Sequence, residues 1–358
     1  MALLLEDAAK LSKDVLLKGI IETIIKDSPI LQELPFIEVL GNGLTYNREK
    51  TLPSAAFYAP VTGSWVESAP TFTQITAALK VLGGDADVDN YLKTTRSNVQ
   101  DIETAVIELK SKAVRNKFED AFLNGDVDAD ANTFDGLYKL LKGTTWAANT
   151  AYALDAEVVP TVGKANGFLY RCTTAGTSHA TTEPTWPITE GATVTDNTVT
   201  WTTYLGNNKC LGANGASLAL ANMDELLDLI RGGKPDMLLM SRRSRRKILA
   251  LTRAAGSNLE VGEGKLGQRV EFFNGIPLHV SDWLSNNYEV GSTTDNSVIF
   301  AIQMGEGKLS GITAAGMIQV ERVGALETKD ATRTRIKWYV GLALFSTRAA
   351  AMLTGVRD

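Results

Sequence analysis

Residues 41–76 read GNGLTYNREKTLPSAAFYAPVTGSWVESAPTFTQIT, and a short stretch later residues 89–124 read DNYLKTTRSNVQDIETAVIELKSKAVRNKFEDAFLN. The first stretch alternates apolar and polar residues at both ends, in Leu44-Thr45-Tyr46-Asn47 and Phe72-Thr73-Gln74-Ile75. Between them lie Pro53, Pro60 and the turn Thr62-Gly63-Ser64, the pattern of two strands joined by a long loop. Phe57, Tyr58 and Trp65 fall in that loop, and large apolar groups on a protruding hairpin mark a contact surface. In the second stretch Leu92, Val99, Ile102, Val106, Leu109, Ala113, Val114, Phe118 and Phe122 keep to one helical face. Asp89 or Asn90 can cap its start and Asn124-Gly125 its end. One helix of that length is a rod of about 50 Å at ~1.5 Å per residue. Its heptad register drifts, so it reads as a spine laid across a sheet and not as a coiled coil. A finger with little core of its own, joined to so long a helix, is a part shaped to embrace copies of itself.

Outward from this pair, residues 3–25 carry Leu4, Leu11, Val15, Ile20 and Ile24 at helical spacing, and Ser28-Pro29 is expected to stop that helix. Residues 31–40 read as extended. Beyond the spine, helices are expected at 218–231 and 241–254. Strands are expected at 237–240, 269–273, 277–280, 297–302, 317–322 and 333–345. The order is mixed α+β, without strict strand–helix alternation.

Composition narrows the classes. The net charge of -5 and pI near 5.3 exclude a whole-protein attraction to nucleic acid or anionic lipid. No apolar run approaches the ~20 residues that span a bilayer, so no membrane partner is expected. Acidic and lysine residues from Glu6 to Asp14 break up the apolar start Met1–Leu5, against a signal sequence and for a cytoplasmic product. Cys172 and Cys210 offer neither metal spacing nor a disulfide framework, and two thiols or one bond both fit them. His179 and His279 are too few and too far apart for a zinc site or a triad. Nothing calls for a cofactor or a catalytic group.

Between Gly143 and Asn208 the composition changes abruptly. Seventeen threonines stand against seven charged residues, with three of the six tryptophans, which marks a small all-β insertion.

Several motifs taken in order resemble the major capsid proteins of tailed bacteriophages. They are Leu34-Pro35-Phe36, Gly43-Leu44-Thr45-Tyr46, Val88-Asp89 and Phe134-Asp135-Gly136-Leu137, then Phe273-Asn274-Gly275-Ile276-Pro277-Leu278 with Ser281-Asp282, and Arg335-Ile336-Lys337-Trp338-Tyr339-Val340-Gly341. The resemblance implies the shell fold shared with encapsulins. On it, 1–40 would be an N-terminal arm, 41–76 an extended loop, and 77–142 with 312–358 a peripheral domain holding the spine helix. Residues 209–311 would be an axial domain gathered around five-fold and six-fold axes. The implied function is an icosahedral head shell around a double-stranded DNA genome, assembled in the host cytoplasm and residing in the virion. The implied partners are many copies of the chain as pentamers and hexamers, separate scaffolding, portal and decoration proteins, and packaged DNA bound non-specifically. Some relatives link an extended-loop lysine to an asparagine; Lys50 lacks the matching motif, so that chemistry is not carried over.

The insertion in turn resembles small chitin-binding-type carbohydrate modules, on Trp146, Tyr152, Asp155, Val158, Gly167, Tyr170, Cys172, Gly176, Glu183-Pro184, Trp186-Pro187 and Trp201. Trp186, with Tyr152 and Tyr170, would then be the glycan platform, Trp186 exposed in its loop, with surface glycans as a partner. The opposing reading makes these aromatics the core of a domain short of Leu and Ile. A module on the outer surface would serve glycan adhesion or intersubunit contact.

Three other signals are discounted. Gly262-Glu263-Gly264-Lys265-Leu266-Gly267 has G-x-G-x-x-G spacing but no strand-to-helix context. Arg242, Arg243, Arg245, Arg246 and Lys247 spread around a helix, as a solvated or ion-paired face does. Asp85, Asp87 and Asp89, like Asp126, Asp128 and Asp130, lack the glycine and distal glutamate of a calcium loop and read as turn formers. The competing readings are an encapsulin-like compartment shell and a glycan-binding protein or hydrolase.

Overall fold

The structure, a computed structural model, describes residues 3–4, 28–51, 53, 55–58, 63–96, 102–256, 258–263 and 269–357. Leu3–Leu4 forms a two-residue strand (β1), where the start of a helix was expected. The remainder of that expected helix lies outside the described residues. Ser28-Pro29 begins a helix (α1, Pro29–Glu33) where it was expected to end one. The Ser28 hydroxyl accepts the Leu31 amide, and proline suits the first turn because its missing N–H is one the helix leaves unpaired anyway.

After β2 (Pro35–Glu38) the finger rises as β3 (Gly43–Thr51) and returns as β4 (Thr71–Ala78), an antiparallel pair from Gly43↔Ala78 outward. The next strand, β5 (Lys80–Asp89), leads into α2 (Asn90–Arg96) and α3 (Ile102–Asn124), with 97–101 outside the described residues. The Asp89 carboxylate accepts the Tyr91 amide at 2.8 Å. Spine helix α3 buries Ile107, Val114, Phe118 and Phe122, and Phe118 stacks on Trp338 at 4.9 Å. It ends at Gly125, where a Cβ would lie 2.2 Å from the Phe134 carbonyl; α4 (Leu137–Lys142) comes next.

The insertion holds β6 (Ala151–Tyr152), β7 (Glu157–Val158), β8 (Asn166–Thr174), β9 (Gly176–Thr177) and β10 (Thr193–Asp196). Its last strand, β11 (Val199–Cys210), runs beyond the module. The main chain then makes β12 (Ala216–Ser217), α5 (Leu220–Asp228), β13 (Met237–Met240) and α6 (Arg242–Ala254). Next is a hairpin of β14 (Glu260–Glu263) and β15 (Arg269–Phe273), so the Gly262 segment opens no helix; residues 264–268 lie outside the described set. Asn274-Gly275, both at positive φ, turns β15 into β16 (Ile276–Val280). Then come β17 (Tyr288–Val290), β18 (Thr293–Ile302), β19 (Leu309–Ala325), β20 (Ala331–Leu344) and β21 (Ala350–Arg357).

Two sheets carry the chain. The first has the order β1-β2-β19-β20-β5, with α3 laid against it. The second runs β14-β15-β16-β13-β18-β21-β11-β8-β7. The closing strand corrects the expected boundary: β21 stands between β18 and β11 in the second sheet, not with the peripheral strands. Its run Ala-Ala-Met-Leu-Thr-Gly-Val is buried throughout, and an apolar strand without alternation needs cover on both faces.

Candidate assembly surfaces

Tyr46 and Arg48 alternate along β3 and so project from one face, at the root of the finger. The Tyr46 hydroxyl donates to the Leu344 carbonyl at 2.8 Å, and its ring lies 4.7 Å from Phe345. Arg48 Nε donates to the Phe345 carbonyl at 3.2 Å, and Nη2 donates to the Leu344 carbonyl. One guanidinium thus satisfies the carbonyls at and just beyond the end of β20. Burial raises the Tyr46 phenol above its ordinary range and pulls Arg48 below its own. This anchor was not among the residues singled out from sequence, although the Tyr-x-Arg spacing on a strand was legible.

Farther out the finger exposes its apolar groups. Phe57 is fully exposed and Trp65 is 83% exposed, with Val66 and Phe72 also open to solvent. Tyr58 is half-buried and packs on Trp65, ring centres 4.5 Å apart, while its hydroxyl accepts the Val66 amide. Of the three residues expected to form a contact surface, Tyr58 and Trp65 are brought together, and Phe57 and Trp65 are bare. Burying each large side chain contributes about 1.5–3 kcal/mol.

Most members of the charged clusters are matched within the chain. Asp85 and Asp87 lie on a strand, not in a turn as expected, and face Arg335 and Arg333 across the ladder, each pair at 2.6 Å. Hydrogen bonds from those guanidinia hold both carboxyls below the usual range. Lys139 reaches into the loop carrying Asp126 and Asp128. Among the described residues no group of acids, histidines or cysteines is arranged to hold a metal. On α6, Arg242 pairs with Asp282, Arg243 with Asp295 and Arg245 with Glu271.

In the inserted module the expected exposure of Trp186 is corrected: only 8% of it is exposed. Its indole donates to Glu183 Oε1 at 2.8 Å, and its ring lies 4.2 Å from Tyr170. Tyr170 is wholly buried; burial pushes its phenol up to about 12, and its hydroxyl donates to the Pro187 carbonyl. Tyr152 meets Trp201 edge-on at 4.9 Å. The indoles of Trp146 and Trp201 both donate to Asp196 Oδ2. With scant Leu and Ile, the aromatics form the hydrophobic centre, and little ring face remains for a sugar. Cys172 and Cys210 are buried free thiols whose ionisation burial pushes up.

A sequence model described as the phage capsid family matches residues 11–355. Among solved structures, the chain is similar to the capsid of a native GTA particle (13% identity, TM-score 0.56), over 94% of this chain and 91% of that one. It is similar to a structure from Microbacterium phage Oxtober96 (14%, TM-score 0.56), over 92% and 91%. It is also similar to the holo-SrpI encapsulin complex from Synechococcus elongatus PCC 7942 (14%, TM-score 0.55), over 92% and 88%. At such identities the likeness is one of fold. No curated protein matches by sequence.

Proposed function

The chain belongs to the phage capsid family, and from that membership we propose how its surfaces build a shell. It is a major capsid protein, a structural subunit that assembles with many copies of itself into the icosahedral shell of a virion. The finger of one copy lies across the next, with Phe57, Tyr58 and Trp65 seated on the neighbour. The observation behind this reading is an apolar tip left bare on a hairpin whose root is tied down by Tyr46 and Arg48. A rigid root presents the tip in one geometry and lowers the ordering cost of docking. The copies gather as pentamers and hexamers around the 209–311 region, and the shell encloses double-stranded DNA. Separate scaffolding, portal and decoration proteins complete the head.

The inserted module, welded through β11, serves intersubunit contact at the outer surface in preference to glycan adhesion, since its aromatics fill its own core. Recovery of whole particles on immobilised polysaccharides, lost on trimming the module, would reverse that preference.

Phe57→Ala with Trp65→Ala tests the finger. Electron microscopy is expected to show closed particles for the parent and free subunits or rings for the variant, with unassembled subunits of the two melting alike. Particles that form equally well would remove the finger from assembly. The contents of purified particles separate phage head from compartment: nuclease-protected DNA supports the head, and an enclosed protein cargo supports an encapsulin-like shell.

A further inference from the structure

Most of the arginines described above are matched by a carboxylate; among the cations that are not, four sit on three neighbouring loops. Arg231, Lys234, Lys308 and Arg348 form no ion pair among the described residues, although the Lys234 ammonium donates to the Asn274 carbonyl at 3.2 Å. Backbone hydrogen bonds knit their three loops together where the two sheets meet. The Arg231 amide donates to the Arg348 carbonyl at 3.3 Å, and the Gln303 amide to the Ala349 carbonyl at 2.7 Å. The Gln303 side chain donates to the Lys234 carbonyl at 3.0 Å, and the Phe345 amide to the Lys308 carbonyl at 2.9 Å. Arg231, Lys234 and Arg348 are exposed and Lys308 is half-buried.

Three acids lie beside the four cations. Asp236 takes the Met304 amide at 2.7 Å, Glu306 lies in the Lys308 loop, and Asp228 closes the preceding helix. Two of the loops read Arg231-Gly232-Gly233-Lys234 and Gly305-Glu306-Gly307-Lys308. Gly232, Gly305 and Gly307 have positive φ, and a Cβ on any of them would meet only open space. Bare backbone interleaved with arginine and lysine lets a polyanion approach closely, as in arginine–glycine segments that track nucleic-acid backbones.

We propose that the loops 231–234, 305–308 and 347–348 form a phosphate-contacting patch for duplex DNA, blind to base sequence. It rests on the reading that the shell encloses DNA. Recognition is by charge and backbone amides alone, so it is strongly salt-dependent.

The test uses full-length protein and a short random-sequence duplex, with binding followed by fluorescence anisotropy across a salt series. The parent is expected to bind. The triple variant Arg231→Gln, Lys234→Gln, Arg348→Gln is expected to lose roughly 3 from the log–log salt slope, about one per removed cation. Arg333→Gln, outside the patch, is expected to keep the parent slope. Melting curves and electron microscopy run alongside. Normal particles with the reduced slope support the patch. An unchanged slope overturns it, and so does a parent that binds no duplex, which leaves shell formation untouched. A correctly folded variant that no longer forms particles also overturns it, by making these loops a contact between copies.

Discussion

At the scale of single residues, the sequence located chemistry better than exposure. Trp186 was legible as a special tryptophan, but whether it faced solvent depended on Tyr170 and Glu183. Trp186→Ala is expected to destabilise the module by about 3–5 kcal/mol, the cost of emptying an aromatic core site. Loss of near-ultraviolet dichroism at a lower denaturant concentration checks it. Asp85 carries a depressed folded-state pKa, so its stabilising contribution is present above its unfolded value and is lost as pH falls through the folded one. Asp85→Asn is expected to flatten the acid limb of the melting profile below about pH 4. Glu119 has the opposite sign. Burial raises its carboxyl; the Ser28 hydroxyl and the Trp283 indole stand against it, and Oε1 has no partner among the described residues. Its contribution is full below its unfolded value of about 4.3 and is lost as pH rises through the raised one. Glu119→Gln is expected to remove the corresponding slope in the weakly acidic range of the same profile.

At the scale of elements, local patterns were legible where periodicity or turn chemistry was strong. The β3–β4 pairing was readable, and the spine-helix face was readable in its C-terminal half, at Val114, Phe118 and Phe122; Leu109 and Ala113, expected on that face, are exposed, and Ile107, left out of it, is buried. Ser28-Pro29 was readable only in part, because the same dipeptide can stop one helix or start another, and the packing of Ile30 and Leu31 into the core favours the start. The finger root depends on carbonyls nearly three hundred positions away, beyond the reach of any window. Arg48→Ala is expected to loosen the finger, removing charge-assisted hydrogen bonds worth about 1.5–3 kcal/mol. Faster hydrogen exchange confined to 43–51 and 71–78 checks this, with α3 unaffected. Gly125→Ala is expected to cost about 1–3 kcal/mol, since the new methyl meets two carbonyls at the end of the spine helix. A matching fall in the denaturant midpoint checks it.

At the scale of the whole molecule, the inserted module and the second sheet share a strand. The early part of β11 pairs with β8 and β10, while Asn208, Lys209 and Cys210 pair in parallel with Met352, Leu353 and Thr354. Asn207 reinforces the joint by donating to the Thr347 and Ala350 carbonyls. Two deletions should therefore differ. Removing the module but keeping 207–210 is expected to give soluble subunits; removing 207–210 as well bares one edge of β21 and is expected to give aggregates. Yield in the soluble fraction and light scattering distinguish them.

The sequence by itself determined the mixed α+β class, the finger, the spine and the foreign composition of residues 143–208, because each is written in residues close along the chain. Only the tertiary structure decided that β21 crosses to the second sheet, that the module's aromatics turn inward, and that Asp85, Asp87, Asp126 and Asp128 are matched by Arg333, Arg335 and Lys139. The physical reason is range. Periodicity and turn preferences act over a few residues, whereas burial and ion pairing depend on which distant segment supplies the other surface.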